Sequence, residues 1–209
     1  YGGGVRGGLY HSQSVEAFFA HVPGLKVVIP SSPYDAKGLL KAAIRDNNPV
    51  LFFEHKLSYN TLQGEVPKHD YLVPIGKAVV KQNGTQLSLI SYGLSVHHCL
   101  EAAETLSMEG ISCEVVDLRT IKPLDSVTLL ESVRKTGRAC IVHEDNLTGG
   151  IGAEVAAIIA KECFEYLDAP IHRVASPDVP SFPYSPILED ALLPNSTDIV
   201  TMARELCAY

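Results

Sequence analysis

The chain has 209 residues, 46% of them hydrophobic and 20% charged, and a formal net charge of −7. A chain this long buries roughly 70% of its unfolded surface without a disulfide staple. The acidic balance argues against nucleic acid and anionic membrane surfaces, which reward clustered lysine and arginine, and it leaves room for a basic protein partner. Five cysteines stand far apart, outside any CxxC or Cys/His zinc spacing. Their odd count and spread point to plain thiols in a reducing compartment. No apolar run approaches the ~20 residues of a membrane span. The most apolar stretch, Ile151 to Ala160, is broken by Glu154. The chain begins at Tyr1 rather than Met, so it is silent on targeting segments.

Residues 1–8, YGGGVRGG, hold five glycines and predict a loop open to positive φ and close backbone approach. Ser14 to His21 predicts a short helix ended by Pro23-Gly24, and Lys26 to Pro30 a short buried strand. Ser31-Ser-Pro-Tyr-Asp35 is a helix start: a serine cap, a first-turn proline, and an acid at the positive end of the dipole. That helix runs to about Arg45, where Asp46-Asn-Asn-Pro49 stops it. Val50 to Glu54 is a second strand. Strand, helix and strand in so short a span predict a βαβ unit with parallel pairing. Residues 56–76 lose this regularity and read as a linker.

From Lys77 the alternation restarts. Strands are expected at 87–91, 113–118, 139–142 and 171–174, and helices at 96–108, 125–135 and 152–165. Gly110 and Gly137 punctuate the first two helices. Residues 177–209 carry five prolines before a last helix near Asp198 to Cys207. The repeated alternation predicts a mostly parallel, doubly wound α/β fold.

Three places can carry chemistry. His11 directly follows the glycines, in Leu-Tyr-His-Ser-Gln-Ser. A loop histidine there is either a proton-transfer group or simply solvated, and spacing alone leaves both open. The other seven histidines read as structural or solvated. His143-Glu-Asp-Asn146 closes a strand before a Gly-Gly loop. It reads equally as the edge of a ligand crevice or as a buried polar cluster in a βα turn. Asp46-Asn-Asn48 offers oxygens beside free helix carbonyls, either for a hard cation or only for ending the helix. Walker, GxSxG and HExxH motifs are absent.

The segment Gly8-Leu-Tyr-His-Ser-Gln-Ser-Val-Glu-Ala-Phe-Phe-Ala-His-Val-Pro-Gly-Leu-Lys-Val-Val-Ile-Pro30 resembles the β subunit of a thiamine-diphosphate-dependent 2-oxo acid dehydrogenase. The likeness continues through Asp35-Ala-Lys-Gly-Leu-Leu, Ile44-Arg-Asp-Asn-Asn-Pro49, Cys113-Glu-Val-Val-Asp-Leu-Arg-Thr-Ile121, Lys135-Thr-Gly-Arg138 and Thr148-Gly-Gly150. Tyr10-His-Ser-Gln-Ser14 followed by Glu16-Ala-Phe-Phe19, and His143-Glu144 before the Gly-Gly loop, stand nearest the branched-chain type. The pyruvate and acetoin types are close alternatives.

The resemblance implies an α/β chain in two parts. Residues 1–56 would be the C-terminal half of a transketolase-type pyrimidine-binding domain. Residues 57–76 would be a linker, and 77–209 a transketolase C-terminal-like, mostly parallel three-layer α/β/α domain. It implies that His11 is the catalytic proton donor when the lipoyl group is reductively acylated. It implies a potassium site from the carbonyls of Ala43, Ile44 and Asp46 and an oxygen of Asn48. The segment that would precede residue 1 in such a subunit carries the cofactor-activating glutamate, and the diphosphate and magnesium motif belongs to the α subunit. Thiamine diphosphate and magnesium are therefore expected in the intact heterotetramer and assigned to no residue here. Expected partners are the α subunit, a second β subunit, and a lipoyl-bearing acyltransferase through its subunit-binding domain, in bacterial cytoplasm or mitochondrial matrix. The rival expectation is an isolated assembly module, inactive by itself.

Overall fold

Two sheets organise the computed structural model, which describes residues 1–209. The glycine-rich start leads into one helical turn, α1 (Gly8–His11), and a short helix, α2 (Glu16–Ala20). Then come strand β1 (Lys26–Val28), helix α3 (Pro33–Ile44) and strand β2 (Val50–Phe52). Strands β1 and β2 pair in parallel, with Val27 opposite Leu51, as the spacing predicts. Ser32 caps α3, its Oγ accepting from Asp35 N at 3.2 Å, with Pro33 in the first turn. The expected irregular stretch, 56–76, contains only one helical turn, α4 (Ser58–Thr61).

The larger sheet is built from β3 (Val79–Gln82), β4 (Leu87–Ser91) and, after helix α5 (Ser95–Ser107), β5 (Cys113–Asp117). Next are β6 (Thr120–Lys122), helix α6 (Ser126–Thr136), β7 (Ala139–Asn146) and helix α7 (Ile151–Glu162). After a 3-10 turn at Phe164–Tyr166 the chain ends with β8 (His172–Ser176), α8 (Pro186–Asp190) and α9 (Ser196–Cys207). The order is β3-β5-β4-β7-β8, parallel except for β3 at one edge.

Strands β4 and β5 are buried along their whole length, as expected of parallel strands covered on both faces. Leu89 points to one face, into a core with Val96 and Leu106 of α5 and Ile199 and Leu206 of α9. Ile90 points to the other, among Leu129 and Val133 of α6 and Val155 and Ile159 of α7. The result is three layers, helix–sheet–helix. Each fully buried aliphatic side chain contributes about 1.5–3 kcal/mol. No helix is long and apolar enough to cross a membrane.

Besides the single turns α1 and α4, the strands β3 and β6 and the helix α8 lie outside the sequence reading. β3 is the antiparallel edge of the larger sheet and mixes Val79-Val80 with Lys81-Gln82, a weak edge pattern. β6 is a three-residue strand that leaves this sheet and pairs antiparallel with β1, so the smaller sheet runs β2-β1-β6. α8 is a single short helix among the prolines. β7 also runs on to Asn146, beyond the expected end at Val142.

Candidate functional site

His11 is not in an open loop: it ends the turn α1, whose Gly8 carbonyl accepts from Ser12 N at 3.0 Å. Its ring is exposed and engages no protein hydrogen bond, while its carbonyl accepts from Lys56 Nζ at 2.8 Å. Two of the preceding glycines are dictated by close approach. Gly2, at φ +97°, lies against the His55 ring, and Gly8, at φ +56°, against the Tyr184 ring, so a side chain at either would collide. The glycine run therefore wraps the backbone tightly onto the aromatic rings beneath it and presents His11 outward.

Beneath this segment lies a buried cluster of ionisable groups. Glu144, near the end of β7 and 8% exposed, accepts from Gly3 N at 2.5 Å and Ser14 Oγ at 3.1 Å through Oε1. Its Oε2 lies 2.7 Å from His55 Nε2, and His55 is itself 2% exposed. Burial works to raise the Glu144 pKa, but the His55 hydrogen bond and charge, helped by Gly3 and Ser14, hold it below the usual carboxylate range. Glu16, fully buried at the start of α2, accepts from Tyr92 OH at 2.9 Å and leaves Oε2 without a partner. Burial, and then the charge of Asp145, push its pKa up to about 8. Burial also raises Asp145, whose Oδ2 has no partner.

His143 is fully buried, parallel to the Tyr92 ring at 6.3 Å, and its Nδ1 lies 3.1 Å from the Asp145 carbonyl. Burial pushes its pKa down to about 4, so it is neutral at neutral pH. Gly150 and Gly152 pack directly on its ring. His143 to Asp145 thus form a buried polar cluster within the strand. A cleft of about 580 Å³, lined by Gln13, Asp145, Asn146 and Gly150, opens beside them. The crevice and the cluster coexist.

The Ala43–Asn48 segment is a helix end with a freed carbonyl. In a continued helix Asn48 N would donate to the Ile44 carbonyl; instead it donates to Asp46 Oδ1 at 2.9 Å, with Asn48 Nδ2 at 3.1 Å. The Ala43 carbonyl accepts from Asp46 N at 3.2 Å. Asp46 pairs with Lys26, which with Asn48 holds its carboxyl down at about 2. The Asp46 carboxylate is therefore already neutralised, and the donors left over are carbonyl and amide oxygens. That set suits a weakly charged monovalent cation better than a divalent ion, which favours carboxylates.

His11 and the Ala43–Asn48 turn belong to separate places; the structure ties the segment that carries His11 to Glu144, through Gly3 and Ser14, instead. No group of three or more His, Cys, Asp or Glu side chains is placed to hold a metal. Sequence reading missed Glu16, His55 and Glu189 as buried groups. Their only local signal was a polar residue next to apolar ones, as in Glu16-Ala-Phe-Phe19.

A mostly parallel sheet with one antiparallel edge, preceded by a βαβ unit and by the glycine-rich turn that carries His11, is the arrangement that two transketolase domain families match. Residues 76–199 match the transketolase C-terminal domain and residues 1–61 the transketolase pyrimidine binding domain. The chain belongs to the transketolase family, and it is similar to several β subunits of thiamine-type oxidoreductases. It is 56% identical over 209 residues to the 2-oxoisovalerate dehydrogenase subunit beta of Bacillus subtilis. It is 50% identical to the pyruvate dehydrogenase E1 component subunit beta of the same organism. To that organism's acetoin:2,6-dichlorophenolindophenol oxidoreductase subunit beta it is 48% identical over 206 residues. The chain spans 64%, 64% and 60% of the lengths of these relatives. A solved structure described as a split gene transketolase, inactive beta4 tetramer, superposes with a TM-score of 0.77 at 26% identity, over 92% of this chain and 60% of that one.

Proposed function

We propose that the chain is part of the β subunit of the decarboxylating component of a branched-chain 2-oxo acid dehydrogenase complex. The complex would oxidatively decarboxylate 2-oxo acids and pass the acyl group to lipoyl. The observation that carries this is the outward-facing His11, held on a turn anchored to buried groups below. The 56% identity to the 2-oxoisovalerate relative, against 50% and 48% for the pyruvate and acetoin relatives, supports the branched-chain substrate. Thiamine diphosphate, held with magnesium in the assembled enzyme, supplies the carbanion chemistry. The partners are an α subunit, a second β subunit and the lipoyl-bearing acyltransferase. Residues 1–56, 57–76 and 77–209 are the proposed pyrimidine part, linker and C-terminal domain. The bacterial relatives support a cytoplasmic location.

His11 acts as a general acid. As one sulfur of the lipoyl disulfide takes the acyl group, the S–S bond breaks and the other sulfur leaves as a thiolate. His11 gives that sulfur its proton, a contribution of about 10²–10⁴-fold. In the full-length subunit assembled with its partner, His11→Ala lowers acylation of a free lipoyl domain by about that factor. It leaves decarboxylation, followed with an artificial electron acceptor, much less affected. Undiminished lipoyl acylation would sink the role.

The carbonyls of Ala43, Ile44 and Asp46 and the amide oxygen of Asn48 are the proposed potassium ligands, tying the end of α3 to the turn before β2. Replacing potassium with choline at equal ionic strength then lowers the melting temperature. Equal melting temperatures in the two salts would count against the site.

A further inference from the structure

The His11 segment is held by side chains distant in sequence, and one of them meets both ends of it. Glu144 lies on β7, outside the turn that carries His11, and its Oε1 receives Gly3 N at 2.5 Å and Ser14 Oγ at 3.1 Å. Gly3 and Ser14 bracket α1. The base of the segment is closed by Gly2 N donating to the Gln13 carbonyl at 3.1 Å. The second oxygen of Glu144 is fixed by His55 Nε2 at 2.7 Å, so the carboxylate cannot rotate away without breaking three contacts at once. We propose that Glu144, oriented by His55, is a positioning residue that clamps both ends of the Gly3–Ser14 segment and so sets where the His11 imidazole stands.

A second tie has the same form. Glu189 on α8 is fully buried, and its Oε2 accepts from Arg6 N at 3.2 Å and Arg6 Nη1 at 2.8 Å. It holds the middle of the segment where Glu144 holds the ends. Buried carboxylates with this many donors to one backbone segment are poorly explained by stability alone. An apolar contact would cover the same surface without the desolvation cost of a charge. What a carboxylate adds is direction, since each bond fixes a donor to within a few tenths of an ångström. A proton donor needs that, because misplacement by ~1 Å can cost about a hundredfold in rate.

This inference rests on the proposed role of His11, and its test separates the two. Glu144→Gln keeps the shape but offers one acceptor oxygen where two serve three donors. Ser14→Ala removes one tie and leaves no buried charge unpaired, so it serves if the first variant folds poorly. Both are made in the full-length subunit assembled with its partner and cofactor. Hydrogen exchange is read at residues 3–14 and at β4, alongside lipoyl-domain acylation and acceptor-coupled decarboxylation. Expected is about tenfold faster exchange in the segment with β4 unchanged. Acylation should fall by about tenfold or more while decarboxylation falls far less. Wild-type exchange at 3–14 in both variants overturns the clamp. Equal losses in both reactions overturn a positioning role in favour of a merely structural one. A loosened segment with full lipoyl acylation leaves the clamp standing and removes the role proposed for His11.

Discussion

Glu16 illustrates how an ordinary carboxylate becomes a pH-sensitive stability element. It is fully buried, its Oε2 has no partner, and its pKa rises from 4.5 to about 8 through burial and the neighbouring Asp145. Between those two values the folded state keeps a proton that the unfolded state has released. The folded protein therefore loses stability from this group as pH climbs from 4.5 towards 8. Glu16→Gln preserves the acceptor for Tyr92 and removes the titration. The variant should gain on the natural protein as pH rises, with the gap widening by up to about 1.4 kcal/mol per pH unit in that window. Urea unfolding at pH 5 and pH 8 checks it, and a constant gap at both would refute the assignment. Local sequence did not disclose this residue. Burial of Glu16, His55 and Glu189 arises from strands and helices far along the chain, whereas the serine cap at Ser32 was readable because a cap acts within its own helix turn.

Among the elements, β6 has consequences out of proportion to its length. It follows β5 after Arg119, at φ 53°, and joins β1 instead of the larger sheet. Val27 and Ile29, at the β1 end of the smaller sheet, share one core with Ile90, Val116 and Leu118. The smaller sheet thus has no complete core of its own. Ile29 is fully buried there, and Ile29→Ala should cost about 2–5 kcal/mol. That loss should destabilise both sheets together, because they share the side chains removed from contact. Hydrogen exchange resolves it: amides of β1 and β4 are expected to lose protection in one transition, and a separate early loss at β1 would contradict a shared core. β6 escaped sequence reading because a three-residue run has no measurable periodicity and its partner strand is remote. The main helices and parallel strands were legible because caps, glycine stops and continuous apolar runs are local signals.

At the scale of the whole molecule, the three-layer arrangement followed from strand–helix alternation, and the placing of His11 did not. The motif around His11 marked the residue. The frame that holds it, Glu144 and Glu189, was scattered over β7 and α8, and only the fold brings those elements to the glycines. The Arg6–Glu189 tie joins residues 183 apart in sequence. During synthesis a domain folds as it emerges, yet the Arg6 tie cannot form until Glu189, 183 residues further on, has been made. The loop to be closed is long, and its entropic cost grows only slowly with length, so distance delays the tie without weakening it greatly. Residues 3–14 therefore settle after much of the chain that follows them. A nascent chain that has not yet reached α8 leaves the Gly3–Ser14 segment untied at Arg6, so the setting of His11 is completed late in the order in which the molecule is built.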